Sequence, residues 1–279
     1  MKSVCIVGGG IMGQGIVQVS LAAGFVTYLV EPVATVRSKV QDQIHSALKK
    51  LEAKGTVSNV DSLISNLYVL HWFPEDYVDL VIEAVPEDLD LKKKVWADAG
   101  CVISENTLVA SNTSSLSIAD MSLSTPYPAN FVGIHFMNPV PVMSLVEIIK
   151  GSHTSADAVS RAQEYVKALG KTAVLCNDKP GFIVNRLLLP LINEAFCALD
   201  QKVASAEDID YAMKLGANYP IGPLALADMI GLDTCLSIMK TLHKDFADDK
   251  YKPSSLLASY VENEHLGRKT GQGVFKYQE

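Results

Sequence analysis

Apolar positions along the chain fall into two regimes. Up to about residue 180, short apolar runs rich in β-branched residues alternate with stretches in which apolar positions recur every three or four residues. The runs at 2–7, 26–30, 67–70, 80–85, 108–111, 131–135 and 145–149 read as strands. Segments 11–23, 88–100, 115–122 and 155–169 read as helices between them. Such alternation predicts an α/β domain built on a parallel, doubly wound sheet. Between the second and third strands, Val33, Val36, Val40, Ile44, Leu48 and Leu51 keep helical spacing. Residues 32–66 are longer than a simple crossover needs, which predicts a projecting helical hairpin.

After Pro180-Gly181 the strand signals stop. Helical patterns at 182–200, 206–215, 223–246 and 254–262 predict a smaller all-helical C-terminal domain, with Pro190 kinking its first helix. The expected division is therefore 1–181 and 182–279.

The first strand runs into Gly8-Gly9-Gly10-Ile11-Met12-Gly13 at the start of a helix. Gly8 permits the tight turn, Gly10 lets a pyrophosphate approach the backbone, and Gly13 lets helix and strand pack closely. The helix N-terminus adds N–H donors and partial positive charge. Glu31 ends the second strand, where a carboxylate binds the adenosine ribose hydroxyls and repels a 2′-phosphate. Together these predict a Rossmann-type domain that binds NAD in preference to NADP.

Composition narrows the partners. A formal net charge of −7 argues against nucleic acid or an anionic membrane. No apolar run approaches the ~20 residues of a membrane span. Five scattered cysteines without metal spacing point to reduced packing residues and a cytoplasmic protein, and the remaining histidines show no metal pattern either.

Candidate chemistry lies in Gly133 to Ile149. His135 ends one apolar run, and Glu147 interrupts the next. A buried carboxylate is costly unless a charge or donor meets it. Asn138-Pro139-Val140-Pro141 must turn between the runs, and the turn can return Glu147 to His135. Such a histidine can take the proton of an alcohol as hydride leaves the same carbon, with the carboxylate fixing its tautomer. A core histidine bonded to backbone, and a glutamate paired with a lysine, would read the same in this segment alone.

These motifs, with Val81-Ile82-Glu83-Ala84-Val85-Pro86-Glu87, Ser111-Asn112-Thr113-Ser114-Ser115, His135-Phe136-Met137-Asn138-Pro139, Leu145-Val146-Glu147 and Pro180-Gly181-Phe182-Ile183-Val184-Asn185-Arg186, carry a resemblance. The chain resembles the L-3-hydroxyacyl-CoA dehydrogenase family over nearly its whole length, nearest to its bacterial 3-hydroxybutyryl-CoA branch. The resemblance implies an NAD-dependent oxidoreductase interconverting an L-3-hydroxyacyl-CoA, of short chain, and a 3-ketoacyl-CoA. It implies His135 as acid/base, Glu147 as its orienting partner, Ser114 on the substrate oxygen and Asn185 completing the site. Glu87, Lys92, Asn112 and Asn138 match cofactor-contacting positions, and Lys269 matches one near the nicotinamide. Lys54 falls where a basic CoA contact is expected, whereas a nearby serine of the relatives is Ala47 here. Glu31 stands where many relatives have aspartate. The helical domain has several apolar faces and little else to cover them, which predicts association through it as a homodimer.

Two alternatives stay open. One is a related dehydrogenase acting on a sugar acid such as L-gulonate, against which Phe136-Met137-Asn138-Pro139 weighs. The other is a non-catalytic NAD-binding protein, which had no need to keep Ser114, His135, Glu147 and Asn185 together.

Overall fold

The computed structural model describes residues 1–277. The chain divides into two compact units, Met1–Lys179 and a second that begins at Pro180. In the first, strands β1 (Ser3–Val7), β2 (Val26–Val30), β3 (Leu67–Leu70), β4 (Leu80–Glu83), β5 (Leu108–Ser111), β6 (Phe131–Phe136), β7 (Leu145–Lys150) and β8 (Thr172–Asn177) form one sheet. Their order is β3-β2-β1-β4-β5-β6-β7-β8. Helices α1 (Ile11–Ala22), α2 (Ala34–Ala53), α3 (Val60–Ile64), α4 (Leu89–Ala99), α5 (Ile118–Ser122) and α6 (Ala156–Ala168) connect them. The first six strands are parallel, giving the doubly wound α/β sheet that the alternating pattern predicts.

Two features depart from that pattern. β7 pairs antiparallel with β6, because the link between them is far too short for a helical crossover. β8, absent from the sequence reading, follows α6 and lies parallel to β7 at the sheet edge. The link is held in place from both sides. The Lys171 ammonium donates to the Val140 and Met143 carbonyls, each at 2.6 Å, and burial lowers its pKa. Val140 rests so close to Gly15 that a Cβ there would meet it at 2.8 Å.

Side chains alternate between the sheet's two faces. Val4, Ile6, Leu80, Ile82, Leu108 and Ala110 join α1, α2, α3 and α6 in one continuous core. The opposite face meets α4 and α5: Trp96 packs edge-on against Phe131, and Gly133 lets Ile118 and Ile149 close over it. Side chains with the parity of Phe131 and Gly133 point to this second face, and His135 is one of them. Over 32–66, α2 and α3 form a helical pair anchored through Val40, Ile44, Leu48 and Val60, all fully buried.

The second unit contains α7 (Val184–Asp200), α8 (Ala206–Gly216), α9 (Pro223–Ile230), α10 (Leu232–Phe246) and α11 (Ser255–Glu262). Pro190 lies inside α7 without ending it. The single helix expected over 223–246 is two helices, broken at Gly231 with φ +104°. Asp228 is buried in α9 and accepts hydrogen bonds from the backbone of Val274 and Phe275 and from the Tyr277 hydroxyl at 2.9–3.0 Å. A Cβ at Gly267 or Gly273 would strike Asp228, so both glycines let the chain close on it. No helix among the described residues is long and apolar enough to cross a membrane.

Because α2 is fastened by three apolar side chains, Ile44→Ala should destabilise the first unit by about 2–5 kcal/mol, read from urea unfolding.

Candidate active site

Antiparallel pairing sets His135 directly opposite Glu147 on adjacent strands. Their side chains meet with Nδ1 2.7 Å from Oε2. His135 is 5% exposed and Glu147 0%, so water does little to screen the contact. With Nδ1 engaged by the carboxylate, the orientation of the imidazole ring is fixed. The pair therefore has the form of an oriented acid/base.

At the far side of the strand ends lies the glycine loop. Gly8 adopts φ +108°, and a Cβ on it would come 2.8 Å from the Ala84 carbonyl oxygen. A Cβ on Gly13 would collide with the Gly8 carbonyl. A Cβ on Gly10 would meet nothing within 4 Å, so this side of the loop is open to a ligand. Gly10 is also the N-cap of α1 and supplies no side-chain cap, leaving the first N–H groups directed at that opening. Ile11 is exposed beside it and Met12 half-buried. Glu31 is fixed by two backbone donors, Gly9 N to Oε2 and Val33 N to Oε1, each at 2.8 Å. Its oxygens retain further acceptor capacity for ribose hydroxyls. The loop lies where the strand order reverses between β1 and β4, and the residues present fit a dinucleotide.

Between loop and dyad, on the α4 side of the sheet, sits a buried charge cluster. Glu83 is fully buried and lies in register with Ser111. Its Oε1 accepts from the Lys92 ammonium at 2.6 Å and Val85 N at 2.7 Å, and its Oε2 accepts from Ser111 Oγ at 2.6 Å. Lys92 reaches Glu87 Oε2 at 3.3 Å as well. Glu87 Oε1 in turn gathers the 113–115 loop, accepting from Thr113 Oγ1 at 2.6 Å, Ser114 N at 2.9 Å, and Ser115 N and Oγ at 3.0 Å. Burial pushes the Glu83 carboxyl up, outweighing Lys92 and its other donors. Burial also acts on Glu87, but Lys92 and the loop donors together hold its carboxyl below the usual range.

Lys92, expected at the cofactor, is an interior member of this cluster. It is 1% exposed, and its ammonium meets Glu83, the Val85 carbonyl and Glu87. Glu83 was not anticipated. Its signal was the same as that of Glu147, a lone carboxylate in an apolar strand. Capping of α5 falls to Ser117, whose side chain accepts from Asp120 N. Asn112 is buried and its Oδ1 accepts from Phe136 N at 2.9 Å, locking the end of β5 to β6. Asn138 is exposed just beyond β6, joined to Pro139 by a cis peptide bond.

Lys54 is exposed at the C-cap of α2. Beside it, a groove of about 610 Å³ runs between α1, the end of α2 and the 141–144 link, with Leu51, Val57, Val142 and Lys171 in its walls. In the second unit, Asn185 stands half-buried in the first turn of α7, and Lys269 is held by both oxygens of Asp233 at 2.6 Å. Among the described residues, no group of His, Cys, Asp and Glu is arranged for a metal ion.

A glycine-lined crevice at the sheet's switch point, with an oriented imidazole at the same strand ends, defines an NAD-binding oxidoreductase. Comparison with known proteins specifies the kind. Residues 3–179 match the family model for the 3-hydroxyacyl-CoA dehydrogenase NAD binding domain, and residues 181–277 match that for the 3-hydroxyacyl-CoA dehydrogenase C-terminal domain. The chain is 42% identical to a probable 3-hydroxybutyryl-CoA dehydrogenase of Deinococcus radiodurans, covering 98% of this chain and 99% of the relative. It is 43% identical to a 3-hydroxybutyryl-CoA dehydrogenase of Bradyrhizobium diazoefficiens, covering 99% and 96%. It also superposes on the crystal structure of (S)-3-hydroxybutyryl-CoA dehydrogenase from Ralstonia eutropha with a TM-score of 0.94, at 42% identity and full coverage of both chains. The chain belongs to the 3-hydroxyacyl-CoA dehydrogenase family, and its cofactor is NAD.

Two outcomes follow from the charge cluster. Lys92→Met strands Glu83 in the interior without a counter-charge and should cost about 3–5 kcal/mol in urea unfolding. A carboxyl held lower in the fold than in the unfolded chain contributes stability that is complete above its ordinary range and lost as pH falls through its folded value. Glu87 behaves in this way and Glu83 in the opposite sense. Protection of the Ser114 and Ser115 amides against exchange, measured relative to their unstructured rates at each pH, should therefore fall selectively as pH drops below the ordinary glutamate range.

Proposed function

We propose that this protein interconverts an L-3-hydroxyacyl-CoA and the corresponding 3-ketoacyl-CoA, with short acyl chains such as hydroxybutyryl and acetoacetyl as substrates. The observation that carries this reading is the 2.7 Å contact between His135 and Glu147 inside an NAD-binding unit. The bound nicotinamide supplies the acceptor or donor of hydride at C3 of the acyl chain. In oxidation, His135 takes the proton of the 3-hydroxyl as the C3–O bond becomes a carbonyl; in reduction it returns that proton to the nascent alkoxide. The imidazolium so formed lies against the Glu147 carboxylate, which offsets its charge where water does not reach.

Ser114 and Asn185 are assigned to the substrate oxygen. For Ser114, support comes from the Glu87 carboxylate, whose four bonds to the 113–115 loop preset that backbone. Lys92 and Asn112 act from behind, the first through Glu87 and the second through Phe136 N. The groove beside Lys54 offers a course for the CoA arm, with Lys54 available to a phosphate and Ala47 contributing no hydrogen bond. We further assign a homodimer through the second unit, where Leu187 on α7 and Tyr211 and Leu215 on α8 are 70%, 58% and 83% exposed. Five unbridged cysteines fit a reducing, cytoplasmic setting.

The test is NADH oxidation with acetoacetyl-CoA. His135→Ala should lower kcat by roughly 10²–10⁴-fold, and Glu147→Gln should lower kcat by roughly 10²-fold with KM nearly unchanged. Activity retained in His135→Ala rules the mechanism out. Turnover of L-gulonate in place of the CoA substrate rules out the substrate class.

A further inference from the structure

We infer that Arg37 is a specificity residue of the cofactor site, a latent partner for the 2′-phosphate of NADP that Glu31 holds in check. In a dinucleotide site of this architecture, the residues after the second strand meet the adenosine ribose. A carboxylate there rejects a 2′-phosphate, and an arginine nearby accepts it. This chain places both signs on one turn.

Glu31 closes β2 and is 7% exposed. Both of its carboxylate oxygens are held by backbone N–H groups, and no cationic side chain lies within 4.0 Å of those two oxygens among the described residues. Its charge is therefore fixed in place and not neutralised by an ion pair. Arg37, in the first turn of α2, is half-buried. Its Nη1 donates to the Glu31 carbonyl at 2.7 Å and the Pro32 carbonyl at 2.9 Å. Those two bonds pin the guanidinium against the turn that carries the acid. No carboxylate pairs with Arg37 among the described residues, and the hydrogen bonds it makes there use Nη1 alone. The Nε–Nη2 edge, the planar fork that reads phosphate, keeps its donors for a ligand.

Discrimination against NADP is thus a difference between two opposed charges, weaker than an acid alone would give and reversed when the acid is removed. The neutral Val33 N–H and Gly9 N–H that hold Glu31 remain in place after such a change, so the turn has no other charge to lose.

The experiment measures dissociation constants of NADH, NADPH and 2′,5′-ADP on the full chain by calorimetry, without substrate. Arg37→Gln should weaken NADPH and 2′,5′-ADP about tenfold, the loss of one charge-assisted contact, while leaving NADH within about twofold. Glu31→Ser should tighten NADPH about tenfold or more, and adding Arg37→Gln to it should abolish that gain. NADPH affinity indifferent to Arg37→Gln in both backgrounds overturns the proposal. A parallel loss of NADH and NADPH also overturns it, since Arg37 would then only brace the turn. Neither result bears on His135, which none of these measurements reads.

Discussion

An imidazole and a carboxylate face each other across one rung of an antiparallel pair, both shut from water, and this contact constrains everything around it. The rung exists only because the chain reverses between β6 and β7; a helical crossover would have made β7 parallel and changed its register against β6. The reversal depends on the Lys171 ammonium drawing two loop carbonyls together and on Gly15 leaving space for Val140. A contact of 2.7 Å between side chains thus rests on a backbone turn, a lysine one strand away and a glycine on another helix.

The sheet separates two kinds of interior. Toward α1, α2, α3 and α6 it presents a chiefly apolar face that asks little beyond close packing. Toward α4 and α5 its strand ends carry Glu83, Ser111, His135 and Glu147, each buried and each met by a partner. Concentrating the costly groups on one face lets a single short loop, 111–115, serve both clusters. It receives Glu87 from one side and, through Asn112, grips β6 from the other. Rigidity of that loop is an electrostatic property more than a packing one.

What could be read from the residues alone follows from how local each signal is. The glycine loop and Glu31 were legible because their spacing is tied to consecutive elements. The facing of His135 and Glu147 was legible because Asn138-Pro139-Val140-Pro141 forbids a strand and leaves a reversal as the way on. β8 was not: Thr172–Asn177 is an edge strand whose exposure follows no simple alternation, so its pattern lacks contrast. The break at Gly231 was hidden because an isolated glycine is tolerated within a helical pattern. Lys92 opens a run of three lysines that reads as solvated, and only the fold reveals that the first of them turns inward to Glu83. The resemblance named its position but not its burial.

Asp228 has a consequence for the order of events during synthesis. Its partners, the amides of Val274 and Phe275 and the phenol of Tyr277, are translated more than forty residues after it. Until they emerge from the ribosome, a nascent bundle that packs α9 into its interior must leave this carboxylate hydrated or accept it unpaired. Final consolidation of the helical unit therefore waits for the closing peptide, which acts as a latch on helices already made.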